Sequence, residues 1–274
     1  MMENFGCTVT GRERIASNLL RVRFEVGPGD GVGYVPIVPG DEAVVFAFPG
    51  GEPGADAAPR NYTVRSYDPR ANEMVVDIAE HPHGPAVDWF RTAEPGTRVP
   101  ASGPRSWYSP PAAGHHVLAG DLAALPALAR ILEQTPSGVE VTVLAEVLAA
   151  DELDYLPARA NTVVVPLVGS GNGVSPTRLA DALADLEFGD DAYCWFSGEA
   201  AATRAAKKQL RGRGWSRDRY DVVGYWREDA ERWSARFEQR SDELLAVYTG
   251  ALADGRSAEE ATDLYEEALE RAGL

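Results

Sequence analysis

Residues 60–65, Arg-Asn-Tyr-Thr-Val-Arg, set two guanidinium groups, a phenol and a hydroxyl within six positions. In an extended chain alternate side chains share a face, so Arg60, Tyr62 and Val64 stand on one side and Thr63 and Arg65 on the other. Such a strand can hold a pyrophosphate, stack on a flat heteroaromatic ring and offer a hydroxyl to the ring's edge. Spacing alone leaves an equal reading, an edge strand with solvated arginines. Asp77–Ala86 runs from a strand into a helix start, where free backbone N–H groups favour a phosphate. His81 and His83 in that segment read more readily as a polar rim than as catalysts. Gly169-Ser170-Gly171-Asn172-Gly173 follows an apolar strand, but Val174 stands where a third glycine belongs and no P-loop lysine follows. It reads first as a plain turn and second as a phosphate contact. Arg204, Lys207, Lys208, Arg211, Arg213, Arg217 and Arg219 read first as a solvated face and second as a receiver for an anionic nucleotide.

The elements that must position these residues fall into two rhythms. Cys7–Ile15, Leu19–Val26, Glu42–Phe48, Asn61–Tyr67, Glu73–Glu80 and Gly96–Ala101 read as short strands between turn clusters, with a helix-like interruption over Gly84–Glu94. This spacing predicts a small antiparallel barrel. After about residue 112, strands at His116–Ala119, Val139–Val147, Asn161–Val168, Ala192–Phe196 and Asp221–Trp226 alternate with helices at Leu125–Gln134, Pro176–Leu186 and Ala200–Arg211. The tail adds helices over Glu231–Tyr248 and Ser257–Arg271, the second opened by a Ser257/Glu260 capping box. The expected fold class is α/β plus β. A barrel spans 1–112, a parallel-sheet α/β domain 113–230 and a helical extension 231–274, whose amphipathic faces suit the sheet or a second copy of the chain.

Composition narrows the function. A net charge of -16 argues against nucleic acid or an anionic membrane as partner. Cys7 and Cys194 are too few and too far apart for a disulfide framework, and the two histidine pairs lack a matching ligand pattern, so no metal site is expected. The first residues lack an apolar signal region and no run reaches transmembrane length. The expectation is a reducing cytoplasm.

Arg60–Arg65 resembles the R-x-Y-T-x-R flavin motif of the siderophore-interacting protein family, a branch of the ferredoxin-reductase-like flavoproteins. His81 and Gly84-Pro85-Ala86 followed by Trp89 are similar to that family's H-G and G-P-A-S-x-W segment, and Gly103-Pro104-Arg105 to its G-P-R turn. Leu118–Asp121 with Ala124–Ala127 resembles L-A-G-D-E-T-A-L-P-A, Ser197–Ala200 resembles A-G-E-A, and Gly224–Arg227 reads G-Y-W-R. These landmarks span residues 7–230 in the family's order.

The resemblance implies an FAD-dependent reductase, driven by NADPH or NADH, that reduces ferric siderophores. Arg60 would meet the pyrophosphate, Tyr62 pack on the flavin and Thr63 bond near N5, which makes Tyr62 and Thr63 the catalytic pair. Val64, Asp77, His81 and the segment Gly84, Pro85, Ala86, Val87 would line FAD. Gly120, Asp121 and Ala124 would border the nicotinamide, with Gly198, Glu199, Tyr225 and Trp226 on the far side. Arg105 and Trp107 would face the chelate, although ordinary loop packing explains them equally. Val87 replaces the family's hydroxyl, and Leu122 and Ala123 replace its polar E-T pair. Other readings stay open: a flavin reductase for a different acceptor, or a non-catalytic siderophore-binding protein on the same fold. The acidic surface leans the substrate toward neutral or hydroxamate-type chelates.

Overall fold

The computed structural model describes residues 4–27, 33–37, 40–48, 58–81, 85–189, 191–228 and 230–274. Six strands, β1 (Asn4–Ala16), β2 (Leu19–Gly27), β3 (Ala43–Phe48), β4 (Ala58–Asp68), β5 (Glu73–Ala79) and β6 (Arg98–Arg105), close into a barrel ordered β1-β2-β5-β4-β3-β6. Every strand pair in it is antiparallel. Alternation in the sequence makes this possible. Val22, Phe24 and Val26 of β2, Val44, Phe46 and Phe48 of β3, and Met74, Val76 and Ile78 of β5 turn inward to one core. Helix α1 (Pro85–Thr92) adds Phe90 to that core, edge-on to Phe48 at 5.1 Å and to Tyr62 at 5.0 Å between ring centroids.

Five parallel strands follow: β7 (His115–Gly120), β8 (Glu140–Val147), β9 (Thr162–Val168), β10 (Ala192–Glu199) and β11 (Tyr220–Trp226). Their near-continuous apolar runs suit a sheet covered on both faces. Helix α2 (Leu125–Gln134) and barrel residues such as Leu19 cover Leu118, Val143 and Trp195. Helices α3 (Leu179–Asp185) and α4 (Ala200–Gly212) cover Val117, Leu144 and Phe196. The order is β11-β10-β7-β8-β9, so the connections leaving β7 and β10 run in opposite directions. Open α/β sheets take ligands at the carboxyl ends of the strands flanking such a reversal.

Helix α3 starts three residues later than the periodicity predicts. The preceding turn is held by a buried carboxylate: the Thr177 hydroxyl and the Arg178 N–H each donate to Glu146 at 2.6 Å. Residues 1–226 form one compact unit and 227–274 another. In the second, α5 (Ala230–Glu238), α6 (Ser241–Ala253) and α7 (Ala258–Arg271) pack around Leu244, Leu269 and Leu274. The single helix expected over 231–248 is therefore two. The backbone leaves helical geometry at Arg240 (φ -130°), and Asp242 and Glu243 open a new first turn where negative charge is favoured. The expected Ser257/Glu260 capping box forms in both directions. Among the described residues no helix is long and apolar enough to cross a membrane.

Barrel and sheet are joined through charged groups withdrawn from water. Glu42, fully buried, accepts from the Tyr34 hydroxyl, from the Ile37 N–H at 2.9 Å and from Arg130 of α2 at 2.6 Å. The same guanidinium donates to the Val64 carbonyl of β4 at 2.7 Å, while the Val64 N–H donates to the Glu42 carbonyl at 2.8 Å. Gly40 is required beside this triangle, because a Cβ there would lie 2.8 Å from the Ile131 Cα. Removing one partner of a buried pair strands the other charge and costs about 3–5 kcal/mol. Arg130→Met is accordingly expected to lower the urea midpoint by that stability; an unchanged midpoint would show that the pair does not hold the seam.

Candidate cofactor site between barrel and sheet

Strand β4 presents its side chains as the alternation predicts. Val64 lies in the barrel core and the Tyr62 ring packs toward it, 6.0 Å from both Phe46 and Phe48. Thr63 and Arg65 turn to the sheet. Arg65 forms a two-pronged bond to Glu133 of α2, at 2.9 and 2.5 Å, and its guanidinium stands 5.7 Å from the Tyr155 ring. Thr63 is only 4% exposed, yet its hydroxyl has no partner. The hydroxyl of Tyr225, at the end of β11, faces Thr63 and Ser197 without closing a hydrogen bond to either. Buried hydroxyls normally find partners, so two adjacent orphaned ones make this a candidate place for a polar ligand edge.

The residues expected at the substrate end converge on the same place. Trp107 lies 6.5 Å from Tyr225 between ring centroids, and the Arg105 guanidinium lies 5.8 Å from the Trp107 ring. Asp41 fixes the turn that carries them, accepting from the Ser106 hydroxyl and from the Trp107 N–H at 2.9 Å. Burial raises the Asp41 carboxyl above its ordinary value, and those hydrogen bonds oppose the rise. Arg60 is exposed on β4, bonded to the neighbouring Pro59 carbonyl at 2.9 Å.

Other expected residues are held by the protein itself. Asp77 is buried and receives two bonds from Arg21 at 2.8 Å and one from Tyr155 at 2.5 Å. Val64 spends its N–H and carbonyl on the seam. Glu199 caps α4 by accepting from the Ala201 and Ala202 N–H groups. Pro85 opens α1, and Ala86 and Val87 are buried in its first turn. Gly84 and His83 lie outside the described residues. His81 is exposed and lines an open cleft with Asn18, Arg14, Arg91, Leu148 and Val174, where barrel and sheet edge meet.

At the reversal of strand order, Gly120, Asp121 and Gly198 come together. A Cβ on Gly120 would lie 2.8 Å from the Ala124 Cβ, so this glycine lets α2 approach β7. Asp121 is buried and accepts from the Trp226 indole at 2.6 Å and from the Ala123 and Ala124 N–H groups at 3.0 and 3.2 Å. Burial, reinforced by nearby Glu146 and opposed by these donors, lifts its carboxyl to about 7. Leu122, which replaces a polar residue of the family pattern, packs into the core, and its N–H donates to Asn172 at 3.0 Å. The glycine turn serves as a plain turn around an internal anion. Ser170 donates to Glu146 at 2.9 Å, and a side chain on Gly171 would collide with that carboxylate. Much of the arginine run closes main chain: Arg213 donates to the Leu183, Ala184 and Leu186 carbonyls, Arg219 to Ala192.

Asp41, Glu42 and Arg130 were not singled out by the sequence patterns. Arg130 carried a signal, since it is the one charge between Asp121 and Glu133 in an otherwise apolar segment. Among the described residues no cluster of His, Cys, Asp and Glu could hold a metal ion.

Residues 113–229 match the siderophore-interacting protein family, and residues 47–108 match the siderophore-interacting FAD-binding domain. The ferric vibriobactin reductase of Vibrio cholerae is 30% identical over 212 residues, 74% of this chain and 74% of that one. The chain belongs to the siderophore-interacting protein family. A second relative, the ferric acinetobactin reductase of Acinetobacter baumannii, is 27% identical over 210 residues, 75% of this chain and 71% of that one. Among solved structures, the siderophore-interacting protein of A. baumannii superposes with a TM-score of 0.74 at 22% identity, covering 89% of this chain and 99% of that one. A siderophore utilization protein from T. fusca gives 0.72 at 30% identity, covering 83% and 94%. The expected fold, a barrel followed by a parallel α/β sheet, is the fold these proteins share.

For this family member the buried Asp121 makes a sign-definite prediction. Its folded pKa lies above the ordinary 3.8, so the native state binds more protons than the unfolded chain between pH 3.8 and about 7. The stability it contributes is complete below that window and is lost as pH rises through it, each tenfold difference in proton affinity between the two states being worth about 1.4 kcal/mol. Asp121→Asn should lack this component, so the wild type should lose more stability than the variant in urea melts between pH 5 and 8. Parallel pH dependence in the two proteins would contradict it.

Proposed function

We propose that this chain is an FAD-dependent, NAD(P)H-driven reductase of ferric siderophores that acts in the cytoplasm. The carrying observation is the convergence of Thr63, Tyr225, Trp107 and Arg105 at the seam, with two buried hydroxyls awaiting a partner. Support comes from membership of the siderophore-interacting family, from the FAD-binding match over 47–108 and from relatives named as ferric siderophore reductases. In this reading the barrel, 1–112, holds FAD, 113–230 receives the nicotinamide donor, and 231–274 forms a helical extension with a face for a second copy.

Bound FAD would supply the redox chemistry, taking two electrons as hydride from NADH or NADPH and passing one to each of two Fe(III) chelates. The residues then have separate tasks. Arg60, exposed on β4, holds the cofactor's diphosphate, aided by the main-chain N–H groups that open α1. Tyr62 braces the flavin against the barrel's aromatic core. Thr63 would offer its unspent hydroxyl to the edge of the ring, and the neighbouring Tyr225 hydroxyl would share that task. Trp107 and Arg105 border the acceptor and help exclude water from the ring. The protein needs no iron ligand of its own, because hard oxygen donors in the chelate hold Fe(III) far better than Fe(II) and release the metal once it is reduced. Val87 supplies no hydroxyl at the phosphate end, which leaves the holding of the diphosphate to Arg60 and the backbone.

The test is an anaerobic titration of FAD-loaded protein with NADH and NADPH, followed by a ferric hydroxamate and a ferrous-iron trap. Bleaching by one nucleotide and recovery on adding the chelate, with two Fe(II) trapped per flavin, is the expected result. Reoxidation by other acceptors but not by any ferric siderophore would overturn the substrate. Arg60→Ala should weaken FAD binding by roughly ten- to a hundredfold, the loss of a charge-assisted hydrogen bond, and leave the fold intact by circular dichroism.

A further inference from the structure

Helix α6 has apolar residues on every side. Its charges, Asp242 and Glu243, stand in the first turn, and residues 244–253, Leu-Leu-Ala-Val-Tyr-Thr-Gly-Ala-Leu-Ala, carry none. One side is used inside the helical unit. Leu244 and Val247 pack with Leu269 and Leu274, and Ala251 is buried. The opposite side is bare: Leu245 is 47% and Leu252 40% exposed, and Thr249 between them is exposed as well. A helix that covers a single core carries polar residues on its outer face, whereas one that is apolar all round is covered on both faces. Neighbouring α7 follows the first pattern, with seven charged residues in fourteen. Helix α6 follows the second and calls for another cover.

The bare side has the spacing of a helix-pairing seam. Asp242, Leu245, Thr249 and Leu252 follow one another at intervals of three, four and three residues, which keeps them in one line facing a second helix. The seam ends in charges of opposite sign. Asp242 is exposed in the first turn. Arg256 is exposed in the turn after the helix, where its N–H donates to the Ala251 carbonyl at 3.1 Å. The other acids at the two ends stand apart from this line. Asp254 is nine residues beyond Leu245, half a revolution round the helix, and Glu243 is bonded to Arg240.

A second copy of the same helix fits this seam in one direction. Laid antiparallel across a twofold axis near Thr249, Leu245 of each copy meets Leu252 of the other, and Asp242 of each faces Arg256 of the other. That direction also opposes the two helix dipoles, which attract side by side. A parallel pair would set Asp242 against Asp242 and Arg256 against Arg256.

We propose that the chain forms a twofold dimer in which Leu245, Thr249 and Leu252 of α6 pair antiparallel with the same face of a second copy. The inference rests on the reading of 231–274 as an extension with a face for a second copy, and it names that face and its direction. It involves neither the flavin nor the electron donor, so it stands apart from the reductase reading.

Sedimentation equilibrium of the full chain over a range of concentrations reads the outcome, at physiological ionic strength to screen the repulsion between two acidic chains. The wild type should approach twice the mass of one chain. Leu245→Asp and Leu252→Asp should each raise the dimer dissociation constant about a hundredfold or more, because each removes two apolar contacts per dimer. Helicity by circular dichroism should stay unchanged. Asp242→Arg should raise the constant about tenfold, and adding Arg256→Asp to it should bring the constant back toward the wild type. A double reversal that dimerises no better than Asp242→Arg alone would overturn the antiparallel arrangement. A dimer that survives both leucine substitutions would overturn this face while leaving a second copy bound elsewhere. The mass of one chain at every concentration would overturn the reading of the extension and the proposal with it.

Discussion

The triangle of Glu42, Arg130 and the Val64 backbone is the constraint on which the rest depends. A buried carboxylate and guanidinium stabilise a protein little by themselves, because desolvation offsets much of their attraction. Their value here is geometric. Arg130 reaches from α2 of the sheet to both the loop before β3 and the middle of β4, so it fixes the strand bearing Thr63 relative to the strand bearing Tyr225. A second set of bonds, Tyr155 to the Asp77 that Arg21 also holds, and Arg65 with Glu133, ties the same two halves at other points. A seam fixed at this many places can hold a planar group between its walls at one distance.

The two walls contribute different chemistry. The barrel supplies aromatic rings, an exposed arginine and one unspent hydroxyl. The sheet supplies the crevice formed by its reversal of strand order, with Asp121 and Glu146 buried beside it. Carboxylates in that place take up the donors of the turns that lead into α2 and α3.

Fold and site were legible in unequal measure. The strand alternation of Val22–Val26 and the continuous apolar runs of β7, β8 and β10 are local patterns, and they gave the barrel and the covered sheet. The Arg60–Arg65 hexad was legible because a strand's alternation is itself local. Glu42 was not, since two adjacent acids in a chain of net charge -16 look solvated and their partners lie 88 and 65 residues away. Glu146 was hidden in the same manner: the glycine turn reads first as a plain turn, and nothing near it points to the carboxylate 24 residues earlier that Ser170 meets. The tail helix reads as continuous because its amphipathic spacing runs through 239–240, and periodicity does not register a single departure from helical backbone.

The most direct test of the central claim, that FAD lies in the seam and partners both walls, is amide hydrogen exchange with and without FAD. The account predicts that residues 60–65 of β4 and 224–226 of β11 gain protection together, with one FAD concentration dependence. Protection confined to the barrel segment, with β11 exchanging as before, would contradict it.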